Sequence, residues 1–80
     1  MIILINVIIR GQVLNSGSYN SKKDNSPVYW TDIYEPESGN TVRVFGKNGS
    51  AFDKLSEVYW YVSIYNNDNG LYVKYLNEVN

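Results

Sequence analysis

The chain has no cysteine and no histidine. Without cysteine there is no disulfide staple and no thiolate metal site, so the core must hold the fold unaided. Without histidine the commonest general base and the commonest metal ligand are missing. Long apolar runs are missing too. Ile2–Ile5 followed by Val7–Ile9 falls well short of the roughly 20 residues a membrane helix needs. It also lacks the basic start and small-residue cleavage site of a secretion signal. Neither sign of charge dominates: seven basic and eight acidic residues leave a net −1. That is not the bulk composition of a strongly basic nucleic-acid binder, although a stripe of charge on one face still sets the local field. No Gly-rich phosphate loop, metal-ligand cluster or nucleophile–base pair is visible. These absences argue against an enzyme and against a bound metal or cofactor. They fit a cytoplasmic protein, bacterial or encoded by a virus of bacteria and then working in the host cytoplasm. The Asn-, Ile- and Tyr-rich usage suggests an AT-rich genome.

What is present is a globular balance, 44% hydrophobic and 19% charged over 80 residues. A chain this short folds as one domain, here 1–80. It buries only about 60% of its unfolded surface, which leaves little room for a catalytic cleft between domains. Aromatic residues make up 15%, and eight of them are tyrosine. Tyrosine favours strands, and it also suits half-exposed binding surfaces because it is stiff and amphipathic. Composition leaves both readings open.

Alternation of apolar and polar residues predicts five strands. Ile2–Asn15 is the first, with Ile5, Val7, Ile9 and Val13 on one parity and Asn6, Arg10 and Gln12 on the other. Gly11 interrupts it, as expected where a strand bends. Asn15–Pro27 is polar and reads as a long loop carrying Tyr19, Lys22 and Lys23. Val28–Glu35 and Thr41–Lys47 read as a hairpin around the turn Pro36–Asn40. Asn48–Lys54 is an irregular connector or a single helical turn. Glu57–Tyr65 and Leu71–Val79 form a second hairpin around Asn66–Gly70, with Leu71 and Val73 inward and a bulge before Leu76 and Val79. A long bent strand followed by two hairpins suits an all-β fold: a small five-stranded barrel, closed or partly open and OB-fold-like, with an SH3-like barrel as the alternative.

If Ile33 pairs with Val42 on the core face, Asp32 sits opposite Arg43, Trp30 opposite Phe45 and Tyr34 opposite Thr41. Trp30, Tyr34, Arg43 and Phe45 then share an outward surface. An exposed cluster of large aromatics needs a reason. One reading is a platform on which nucleic-acid bases stack, with Arg10, Lys22, Lys23, Arg43, Lys47 and Lys74 on the phosphates. The other is a face covered by a loop or by a second subunit. Tyr59, Tyr61, Tyr65 and Tyr72 form a second set, which cross-strand pairing or self-association explains. The Asn66–Gly70 turn has a faint likeness to a calcium loop but lacks the closing bidentate glutamate.

The order of elements, from MIILINVIIRGQ through SPVYW and TDIYEPESGNTVRVFG to VYWYVSIYNNDNGLYVKYLNEVN, resembles the single-stranded-DNA-binding proteins of filamentous bacteriophages. The likeness is one of layout across almost the whole chain. It implies an OB-fold, a symmetric homodimer, cooperative binding of single-stranded DNA during replication, and stacking roles for Trp30, Tyr34 and Phe45 with Tyr19 in the loop. The acidic balance, with Asp32, Glu35 and Glu37 near the face, departs from that pattern. The alternative is a small module, viral in origin, that binds or inhibits a host protein. A Tyr-rich, slightly acidic barrel suits that role as well.

Overall fold

The computed structural model describes residues 2–67 and 70–79. Asp68 and Asn69, the middle of the expected second turn, lie outside them. The strands are β1 (Ile2–Asn20), β2 (Pro27–Glu35), β3 (Asn40–Phe45), β4 (Glu57–Asn67) and β5 (Gly70–Glu78), with one 3₁₀ turn at Gly49–Ala51. They close into a barrel in the order β1-β2-β3-β5-β4. Neighbours are antiparallel except β3 and β5, which run parallel through two rungs, Val44 with Val73 and Phe45 with Lys74. The fold is therefore all-β, a small closed five-stranded barrel with the OB-like layout of a long first strand shared by two walls. Among the described residues no helix is long and apolar enough to cross a membrane.

The first strand is shared at Gly11 and Gln12. Residues Ile2–Gln12 pair with β4, and Gln12–Asn20 pair with β2. Gly11 is buried at this handover, and a Cβ there would run into the Tyr34 carbonyl oxygen and come 2.6 Å from Ile33 Cγ2. Only glycine lets β2 approach so closely.

Ser16–Asn20 corrects the expected loop. These residues form rungs with β2 from Thr31 to Pro27, and Tyr19 stands in a strand opposite Val28. Their polar side chains hide the strand from a hydrophobicity pattern, but the backbone ladder needs no apolar residue. The remaining loop, residues 21–26, is tight. Ser21 N–H donates to the Ser26 carbonyl and Asn25 N–H to the Ser21 carbonyl, both at 2.8 Å. Asn25 takes φ 59°, which asparagine tolerates better than most residues.

The core is Val13, Ile33, Val44, Val58, Trp60 and Val62. Wholly buried Thr31 satisfies its hydroxyl by donating to the Lys47 carbonyl at 3.0 Å. Phe52, from the β3–β4 connector, and Tyr75 close one end of the barrel edge-on against Trp60, with ring centroids 5.8 and 5.2 Å away. The opposite end is open. Half-buried Val7, Ile9, Val42, Ile64 and Val73 surround a cavity of about 400 Å³ rimmed by Arg10, Glu35 and Glu37.

Two inward assignments change. Leu71 is 72% exposed, and Ile5, although paired with inward-facing Ile64, is 51% exposed at the open end. The bulge expected in the last strand is present. Tyr61 pairs with Asn77 and Val62 with Tyr75, which leaves Leu76 as the extra residue and turns Tyr75 toward Trp60.

Candidate nucleic-acid interface

The β2–β3 hairpin has the register its alternation implies: Trp30 with Phe45, Asp32 with Arg43, Ile33 with Val42 and Tyr34 with Thr41. Because Ile33 and Val44 point inward and are fully buried, Trp30, Asp32, Arg43 and Phe45 point outward. The parallel β3–β5 rungs extend this surface. Phe45 stacks on Tyr72 with ring centroids 4.6 Å apart and planes 12° from parallel. Tyr72 in turn lies 5.0 Å from Tyr65 on β4. Parts of the two aromatic sets that look separate in the sequence join in one strip: Trp30, Phe45, Tyr72 and Tyr65, on four adjacent strands.

One rung crosses every wall of the barrel on its outer side. Gly17 pairs with Trp30, Trp30 with Phe45, Phe45 with Lys74, Lys74 with Ser63 and Ser63 with Asn6. At one end of it, a Cβ on Gly17 would lie 2.5 Å from Cζ2 of Trp30, so the indole packs where only a glycine leaves room. Toward the other end Ser63 donates to Asn6 Oδ1 at 2.6 Å.

Arg43 lies over the Trp30 ring, its guanidinium carbon 3.9 Å from the centroid. The same guanidinium forks onto Asp32, with Nε donating to Oδ1 at 2.8 Å and Nη2 to Oδ2 at 3.1 Å. The hydrogen bonds to Asp32 push its pKa further above the usual arginine value. Burial raises the Tyr65 and Tyr72 phenols above their ordinary range, and Tyr72 is raised further by the nearby Tyr65 and Tyr19 hydroxyls. Tyr19 therefore lies within electrostatic reach of the strip from the end of β1. Lys74 is exposed beside Phe45, and Lys22 and Lys23 are exposed at the hairpin tip beyond Tyr19. Asp24 shares that tip, its carboxyl held below the usual range by the Ser26 hydroxyl and backbone N–H.

Three expected site residues are not on the strip. Arg10 lies on the β1–β4 wall, donating to the Tyr59 hydroxyl at 3.1 Å and 3.8 Å from Glu57; the Tyr59 bond raises its pKa. Lys47 lies past the end of β3, where Gly46 at φ 93° turns the chain away. Its Nζ sits 5.0 Å from the Tyr75 ring and 3.8 Å from Glu78, against the plugged end of the barrel. Tyr34 faces outward, but no ring pairs with it among the described residues. Conversely, Tyr65 and Tyr72 belong to the strip and were not expected in the site.

Glu35 and Glu37 are also set apart from the strip. Five residues of strand, about 17 Å, separate the Trp30 rung from Glu35. Glu35 accepts from the Ser38 N–H at 2.5 Å, and that bond holds its carboxyl below the usual range. The acidic turn thus faces Arg10 and the open end of the barrel, leaving Asp32 as the carboxylate beside Trp30. Compared with protein-family models, curated proteins and solved structures, the chain matches none.

Proposed function

We propose that this protein binds single-stranded nucleic acid, single-stranded DNA in the first instance, and catalyses no reaction. The observation that carries the reading is the outward strip Trp30–Phe45–Tyr72, backed by buried Tyr65, whose Phe45–Tyr72 pair is already stacked nearly parallel. Bases offer flat π-faces, and such a strip accepts them without demanding a sequence. Tyr19, Lys22 and Lys23 on the β1–β2 hairpin and Lys74 on β5 border it and supply phosphate contacts, with Arg43 at its Trp30 end. Arg10 and Lys47 take no part, being engaged elsewhere. The resemblance in layout to the single-stranded-DNA-binding proteins of filamentous phages supports a role in replication of a phage or mobile element, inside the host cytoplasm.

Titrating oligo-dT and a duplex of equal length at several salt concentrations tests the proposal. The oligo-dT should bind more tightly, and its log affinity should fall linearly with log salt. Absence of binding at low salt, or a salt-independent signal, would defeat it.

A second reading, contact with protein, is favoured by a different wall. Ile8, Tyr59 and Tyr61 lie outward on β1 and β4 with exposures of 50%, 42% and 40%. This wall suits a second copy of the chain in a homodimer, or a host protein, and leaves the aromatic strip free.

A further inference from the structure

Resting on the nucleic-acid reading, we infer that Asp32 is an internal competitor for the ligand's phosphate and sets the affinity of the strip. The Nε and Nη2 edge of Arg43 is the planar fork that arginine offers to a phosphate as readily as to a carboxylate. Here Asp32 fills it with two hydrogen bonds, at 2.8 and 3.1 Å. In the same pose the guanidinium lies 3.9 Å from the centroid of Trp30, while Gly17 backs the indole. No base fits between ring and guanidinium at that separation. One carboxylate therefore blocks both halves of a nucleotide subsite: the fork that takes the phosphate and the ring that takes the base.

Opening the subsite is an exchange. A phosphate displaces the Asp32 carboxylate from Arg43, the guanidinium swings off Trp30, and the base stacks on the ring it leaves. A neutral aromatic ligand has no anion to make the exchange and finds Trp30 covered. Asp32 side-chain exposure is 17% against 50% for Arg43, so the arginine is the member free to move. The subsite thus selects a base that carries a phosphate.

The experiment is a double-mutant cycle of Asp32→Asn and Arg43→Ala on the full chain, with Asp24→Asn as a control for the same change in charge. Binding of oligo-dT is followed by quenching of Trp30 fluorescence, since Trp60 is only 1% exposed and does not meet the ligand. Asparagine keeps the shape of aspartate, so the barrel is retained. Exposed ion pairs of this kind set the expected scale: Asp32→Asn tightens oligo-dT roughly two- to fivefold. It also steepens the log–log salt dependence by up to about 0.7, the value of one single-strand phosphate. Both gains vanish in the Arg43→Ala background and exceed those of Asp24→Asn. Wild-type binding without tightening in Asp32→Asn, or tightening that survives Arg43→Ala, overturns the competitor role while leaving the nucleic-acid reading intact. If neither wild type nor Asp32→Asn binds, both fall; if only Asp32→Asn binds, the nucleic-acid reading of the wild-type chain falls while Asp32 is shown to block the subsite.

Discussion

Two groups of aromatic rings lie on either side of the same barrel wall, and they are packed differently. Inside, Phe52 and Tyr75 meet Trp60 edge-on, at interplanar angles of 60° and 82°. Outside, Phe45 and Tyr72 lie face to face at 12°, and Tyr65 tilts by only 34° from Tyr72. Edge-on contact fills a closed volume, since each ring edge meets the electron-rich face of the next. Face-to-face contact spends one face of each ring on the other and lines the rings up like neighbours in a stack. The interior set is built to exclude water, whereas the outer set repeats the geometry of stacked bases. One amino acid, tryptophan, thus stands in two settings in one chain: Trp60 carries stability, and on the proposed reading Trp30 carries recognition.

The largest effect expected from that contrast is on the inner ring. Trp60→Ala should cost about 3–5 kcal/mol in urea unfolding, most of the stability of a domain this small. Trp60→Phe, a gentler change, should lower the urea midpoint yet leave oligo-dT affinity unchanged. Next comes the outer ring. Trp30→Ala should weaken oligo-dT by about 1–3 kcal/mol, roughly 5- to 150-fold, in a polarisation titration. Its urea midpoint should move far less than that of Trp60→Ala. Equal losses of stability for the two alanine variants, with binding untouched in both, would break the division of labour.

The smallest effect concerns Tyr65. Its phenol is raised by burial, so the neutral form is favoured in the folded state. That contribution is complete below the unfolded value of about 10 and is lost as pH climbs through the folded value. Tyr65→Phe removes the titration. Its thermal midpoint should therefore fall less steeply than that of wild type between pH 9 and 11, and parallel curves would show that Tyr65 ionises freely.

The hairpin half of the strip was legible because β2 and β3 are neighbours in sequence. Alternation of Ile33 and Val42 against Asp32 and Arg43 sets their rungs, and Trp30 and Phe45 follow. Joining Tyr72 to Phe45 was not legible. It depends on a parallel pairing between strands separated by all of β4, and no local pattern encodes such a pairing. Ser16–Asn20 was misread because hydrophobic alternation marks burial, and an exposed hairpin arm has none to show. Lys47 looked like a continuation of β3, but the turn at Gly46 takes it off the outer face and lays it by the Phe52 and Tyr75 rings at the plugged end. Burial of Tyr65 on an outward position follows from its cover by Tyr72, a contact that also depends on the long-range closure of the sheet.

That closure has a further consequence. The barrel is sealed between β3 and β5 by two rungs, Val44 with Val73 and Phe45 with Lys74, and the stacked Phe45 and Tyr72 rings straddle the seam. When those rungs part, the rings part with them, and the aromatic strip is gone although both hairpins are still whole. A ligand lying across both rings would stitch the seam from outside, so under the proposed function holding a strand of nucleic acid and keeping the barrel shut would be the same act.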